Sequence, residues 1–283
     1  MDGTLISKCN IVDVPSEIKV YKGEHISTNN SKSTHNVIVF DLDETLGSYS
    51  DLVVLWDHLK GSISFNDLLD LYPEFSRYGI LSILDYIYKQ KLRGHCYKNF
   101  IYTNNKCSYE FVELISDYFS YKLGIDYGGL FDQIIRAFKV DNKIIEIMRT
   151  TKQKTHTDFI QCTLLPQKTK ICFIDNTYFP DMENPRIYYI QPLSYHHHLS
   201  KEDIINRLPI YCDSITTIYD DLHTFPDSIM SKYNDYLKMK KKTDALVARK
   251  MMYYIQDFFY LTTTKRRTKN KRHLSKRITR KIT

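Results

Sequence analysis

Glycine and proline are scarce, at 9 and 8 of 283 residues. Long flexible or Pro-rich linkers are thereby excluded, and the chain has no internal repeat. No GxGxxG follows an apolar run, which removes a dinucleotide-binding reading. The six cysteines, Cys9, Cys96, Cys107, Cys162, Cys172 and Cys212, form no CxxC pair and match no zinc spacing. No apolar stretch approaches the roughly 18 residues of a membrane helix. The first residues carry no basic-then-apolar signal segment. These absences predict an intracellular protein, cytoplasmic or nuclear and not secreted, with reduced thiols and no membrane contact.

The charge is unevenly spread. The net value is +7, yet residues 265–283 hold ten Lys or Arg and no acid, which leaves −3 for the rest. Such a block is a solvated, disordered arm, or an address or contact for nucleic acid or an acidic partner. Composition leaves both open.

Hydrophobic content of 42% and aromatic content of 13% suffice for a real core. Residues 1–35 read as a poorly ordered polar lead-in with one short strand near 18–21. Five short apolar runs follow, at 37–40, 99–102, 133–138, 170–174 and 187–190, each strand-like. Helical spacing marks 81–91, 109–123, 144–149 and 158–165, and Ser200 with Asp203 resembles a capping box for a helix ending at Leu208. The extra segment 51–74 also reads as helical, a candidate small cap, with Trp56 either core or substrate platform. Residues 36–208 therefore predict an α/β domain, a Rossmann-like parallel sheet of about five strands with helices on both faces. Residues 209–263 read as a helical extension outside that alternation, and 264–283 as the basic tail.

Three of the strand runs end in polar clusters: Asp41-Leu42-Asp43-Glu44-Thr45, Thr103-Asn104-Asn105, and Asp175-Asn176. Each alone is compatible with a turn or a helix cap. Three at the same end of neighbouring strands would converge on one site. Carboxylates this close repel unless a cation sits beside them, and the donors are all hard oxygen, which suits magnesium. The run His196-His197-His198 reads as a turn, because adjacent residues do not share a ligand face.

Asp41-Leu42-Asp43-Glu44-Thr45-Leu46 after a hydrophobic strand resembles the signature of the haloacid dehalogenase superfamily in its phosphatase form. Its wording is similar to the branch of RNA polymerase II C-terminal-domain phosphatases and the small NLI-interacting phosphatases. The later motifs follow in order, so the resemblance covers roughly 36–208. It implies Asp41 as covalent nucleophile and Asp43 as general acid and base. It implies Mg2+ held by the Asp41 carboxylate, the Asp43 backbone carbonyl and the Asn176 side chain, with Asp175 orienting that shell. Thr103 and Asn104 would bind the phosphoryl group, Thr45 would brace the loop, and Lys154 fits the phosphate-binding lysine, with Lys139 and Lys152 as alternatives. The implied substrate is a phosphoprotein, the polymerase tail among the candidates. A small metabolite, a nucleic-acid phosphate end, or a non-catalytic phospho-binding role are the other readings. The short substrate-recognition hairpin of those relatives is not seen in 51–98.

Overall fold

The computed structural model describes residues 18–27, 35–126, 129–197, 199–208, 218 and 230–263, with side chains of the last helix described from 240. Cys9, Cys212, His198 and the basic tail lie outside the described residues.

The chain order is β1 (Lys19–Lys22), β2 (Asn36–Phe40), α1 (Ser50–Leu59), α2 (Phe65–Leu71), α3 (Ile80–Leu92), β3 (Lys98–Tyr102), α4 (Tyr109–Lys122) and β4 (Gln133–Ile135). There follow β5 (Lys139–Val140), β6 (Lys143–Ile144), α5 (His156–Thr163), β7 (Lys170–Ile174), β8 (Ile187–Gln191), α6 (Lys201–Arg207) and α7 (Met230–Thr263). The main sheet has six strands in the order β1-β8-β7-β2-β3-β4. All neighbours are parallel except β1, which runs antiparallel to β8 with Val20 opposite Ile190. The sheet is therefore mixed, not purely parallel: the strand expected near 18–21 joins its edge.

Alternation along the strands makes two cores. Ile38, Phe40, Ile101, Cys172, Ile174, Tyr188 and Ile190 face the larger one, filled from helices α1 to α4, α6 and α7. Val37, Val39, Phe100, Tyr102, Ile171, Phe173, Ile187 and Tyr189 face the smaller one, closed mainly by Phe159 and Ile160 of α5 with Phe179 and Met182. Side-chain caps start the helices: Ser64, Ser108, Thr155 and Ser200 each accept the backbone N–H three residues on.

Four sequence expectations change. Residues 144–149 are not a helix; Asp141 and Asn142, at φ 47° and 64°, form a two-residue turn that pairs β5 with β6. The strand expected over 133–138 ends at Ile135. Residues 51–74 fold into α1 and α2, whose Leu52, Leu55, Leu68 and Leu69 are core, and Trp56 packs edge-on against Phe65 at 5.2 Å. The helix after residue 230 is likewise no appendage, because Val247, Met251, Ile255, Phe258 and Phe259 belong to the larger core. Among the described residues no helix is long and apolar enough to cross a membrane, and Cys96, Cys107, Cys162 and Cys172 are free thiols.

Candidate active site

The sheet order sets β7, β2 and β3 side by side, so three polar strand ends leave the same edge. The ladder continues one residue past each strand. Asp41 N donates to Ile174 O at 2.9 Å, Thr103 N to Ile135 O at 2.9 Å, and Asp175 N to Ile190 O at 3.2 Å. From β2 the chain builds outward through β3 and β4, then returns to lay β7 and β8 on the other side. The order reverses between β2 and β7, and a crevice opens at such a switch point beyond the carboxyl ends.

Strand parity fixes which side chains meet there. Val37 and Val39 point to the smaller core, so Asp41 is next in that series; Asp175 follows Phe173 in the same way. Lys154 lies on the loop entering α5, the helix that covers this face. The three converge. Lys154 Nζ donates to Asp175 Oδ2 at 2.6 Å and to Asp41 Oδ1. Lys154 and Asp175 are each 1% exposed and Asp41 is 7% exposed. Rings of Tyr102, Phe173 and Phe179 lie 5.8, 6.0 and 5.3 Å from the ammonium. Burial alone would lower the Lys154 pKa, but the Asp175 and Asp41 carboxylates outweigh it and hold the pKa above its usual value. Burial raises the Asp175 pKa, with Lys154 pulling against it. The other Asp175 oxygen accepts Thr177 N at 2.8 Å.

Asp43 sits two residues beyond the nucleophile candidate. Both of its carboxylate oxygens lie within reach of Asn105 Nδ2, at 2.9 and 2.8 Å. Burial first, then the Asp41 charge, pushes its pKa up to about 6, while the Asn105 amide opposes the rise. A carboxyl at that value can hold or release a proton near neutral pH.

The loop carrying Asp43 is tightly bound. Glu44 takes a left-handed φ of 57°, and its N–H donates to Gly47 O at 2.6 Å. Residue 77, which nothing in the sequence marks, is the clamp. Arg77 is 3% exposed and donates to Thr45 O at 2.5 Å, to Glu44 O, and to Leu193 O at 2.8 Å. Burial lowers its pKa to about 10, so it stays charged at neutral pH. Thr45 joins this loop to the one after β7: its hydroxyl donates to Asn176 Oδ1 at 2.9 Å and accepts Asn176 N at 3.0 Å. Asn176 Nδ2 donates to Glu44 Oε2 at 3.0 Å and Ser194 Oγ at 3.1 Å.

Arg149 is a second clamp that sequence reasoning missed. It is 2% exposed, and its Nη1 donates to Thr103 O at 3.1 Å and Arg136 O at 2.6 Å. Its Nη2 donates to Asn104 Oδ1 at 2.8 Å and Gln153 O at 3.1 Å. One guanidinium thus ties the β3 end to the residue before Lys154. Thr103 is buried, and its Oγ accepts Asn105 N at 2.9 Å, which leaves the hydroxyl proton available. Lys139 and Lys152 are not drawn to the aspartates; they line a separate cavity beside Asn104. His196 approaches Glu44 at 3.5 Å and His197 stacks on Tyr195, so neither joins the aspartates.

The residues expected to supply the magnesium donors, Asp41, Asp43 and Asn176 with Asp175, all follow strands that end at this one edge. Among the described residues no three His, Cys, Asp or Glu side chains form a metal cage. A set mixing carboxylate, carbonyl and amide oxygens suits a hard cation that keeps several waters. Three aspartates around one lysine also leave net negative charge for such a cation to balance. Comparison with protein-family models, with curated proteins and with solved structures finds no match.

Proposed function

We propose that this chain is a magnesium-dependent phosphohydrolase of the haloacid dehalogenase type, acting on phosphoserine or phosphothreonine in protein through an aspartyl phosphate on Asp41. The observation that carries the reading is Lys154, buried between Asp41 and Asp175 at the switch point, with Asp43 titrating close by. A lysine sealed between two carboxylates holds Asp41 aimed, and keeps positive charge where phosphoryl oxygens would lie.

In the first step an Asp41 oxygen bonds to phosphorus and the bond to the serine or threonine oxygen breaks. The leaving oxygen takes the proton of the Asp43 carboxyl, so it departs as an alcohol and not an alkoxide. A water then bonds to phosphorus and passes its proton to the Asp43 carboxylate. The phosphorus–Asp41 bond breaks, releasing inorganic phosphate and restoring both aspartates. Asn105 positions Asp43 throughout. Thr103 and Asn104 receive the phosphoryl oxygens, and Thr45 with Arg77 keeps the Asp43 loop shut against its neighbours. Asp41, the Asp43 carbonyl and Asn176 would hold the magnesium, which when bound would offset the repulsion between carboxylate and phosphate.

The test is hydrolysis of an aryl phosphate with and without Mg2+. Wild type should turn over only with the metal. Asp41→Asn should abolish turnover, and Asp43→Asn should lower it by about 10²–10⁴. A folded, Mg2+-loaded wild type inert toward both aryl phosphate and phosphopeptides would overturn the enzyme reading in favour of a non-catalytic phosphate binder. The polymerase tail is the phosphoprotein that the motif wording nominates. Ser-Pro phosphopeptides turned over no better than sugar phosphates would remove it.

A further inference from the structure

A cavity of about 440 Å³ opens directly beside the site and shares Asn104 with it. Its wall brings together three lysines from three separate segments: Lys106 after β3, Lys139 on β5, and Lys152 two residues before Lys154. Asp141 is the one acid in the lining, so the cavity carries net positive charge. Three positive charges against one negative make this wall attractive to an anion. The hairpin of β5 and β6 supplies part of the wall through Lys139 and the turn residues Asp141 and Asn142.

We infer that this cavity is a second anion subsite, and that the preferred substrate is a peptide segment carrying a second phosphate near the scissile one. The inference rests on the phosphoprotein reading above. The segment 103–106 links the two places: Thr103 and Asn104 serve the reacting phosphate, and Lys106 reaches the neighbouring one. The size suits a single phosphorylated side chain and not a running polynucleotide. Base stacking is also disfavoured, because Lys139 Nζ already sits 5.0 Å over the Phe138 ring that would offer the platform. Phosphate held by several ammonium groups is a strong charge-assisted contact. It adds binding that is the same in ground and transition states, so it acts on KM and not on kcat.

The experiment compares a singly phosphorylated peptide with versions bearing a second phosphoserine about two residues away, roughly 7 Å along an extended chain. Wild type should show about tenfold higher kcat/KM for one of the doubly phosphorylated peptides, through KM alone. Lys106→Gln, Lys139→Gln and Lys152→Gln combined should erase that gain and leave aryl phosphate turnover unchanged. Titration calorimetry of the same peptides on Asp41→Asn provides a readout that needs no turnover. If no substrate is hydrolysed, the phosphatase reading fails while the subsite is still decided by binding. No preference for the second phosphate, or a preference that survives the triple substitution, overturns the inference. A lysine-dependent preference for a 5′-phosphorylated oligonucleotide over every peptide overturns it in favour of a nucleic-acid end.

Discussion

Gly47 shows how little slack the Asp43 loop has. A Cβ placed there would lie 2.3 Å from Phe75 O and 2.4 Å from the Tyr49 ring. Both neighbours are buried, so neither can yield cheaply. The same residue accepts Glu44 N–H and so holds Glu44 in its left-handed conformation, one position past Asp43. Gly47→Ala should therefore displace backbone and cost about 1–3 kcal/mol, as overpacking does in close-packed interiors. It should also cut turnover disproportionately, because Asp43 moves with the loop. Urea midpoints and kcat measured on one preparation check this. An unchanged midpoint with full activity would mean that the contact with Phe75 is not tight. Arg77 works on the same loop by donating to the Thr45 and Leu193 carbonyls and by giving Glu44 O, which also accepts Tyr195 N–H, a second donor.

At the scale of the element, the loop 150–155 determines whether Lys154 reaches the aspartates. It is fastened at both ends by the first turn of α5. Thr155 Oγ accepts Asp158 N at 3.0 Å, and the Asp158 carboxylate accepts Thr150 N at 3.0 Å and Thr150 Oγ at 2.9 Å. Asp158 is fully buried and close to the helix N-terminus, where a negative charge is favoured. Asp158→Ala removes the two carboxylate hydrogen bonds to Thr150 and keeps the backbone cap to Thr155, without touching any residue assigned to the chemistry. The expected result is a loss of about 2–4 kcal/mol in stability together with weaker phosphate affinity, measured by inhibition with inorganic phosphate. Asp158→Asn, which keeps one carbonyl acceptor, should recover part of both. If phosphate inhibition is unchanged in Asp158→Ala, the anchoring of Lys154 lies with Arg149 and the bond from Thr155 N to Tyr102 Oη.

Across the whole molecule, some of this was legible in the sequence and some was not, for physical reasons. The β-branched and aromatic runs at 37–40, 99–102, 170–174 and 187–190 became central or near-central strands because burial on both faces demands continuous apolar residues. The polar ends of the first three marked the candidate site edge for the same reason: no buried strand would retain them. Arg77 and Arg149 were invisible, since a buried arginine paired with backbone carbonyls looks like any surface arginine in a string of letters. Ile144, Ile145, Ile147 and Met148 suggested a helix, yet the Asp141-Asn142 turn overrode that periodicity. The last helix gave a readable signal that the alternation of strands and helices obscured. Val247, Met251, Ile255, Phe258 and Phe259 recur at helical spacing and close the larger core over β7 and β8. Asp257 adds a polar tie by accepting from Tyr188 Oη at 2.8 Å and Lys22 Nζ at 2.7 Å. The two kinds of contact are not equal in weight. Phe258 is fully buried, and Phe258→Ala leaves a cavity, which costs about 3–5 kcal/mol. The Lys22 partner is half exposed and contributes at most about 1 kcal/mol. Lys22→Ala should therefore leave the urea midpoint almost unmoved, and Phe258→Ala should lower it severely, with the β7 and β8 amides losing exchange protection together with those of α7. Protection lost in α7 alone would show instead that the helix detaches as a separate unit and that the sheet stands without it.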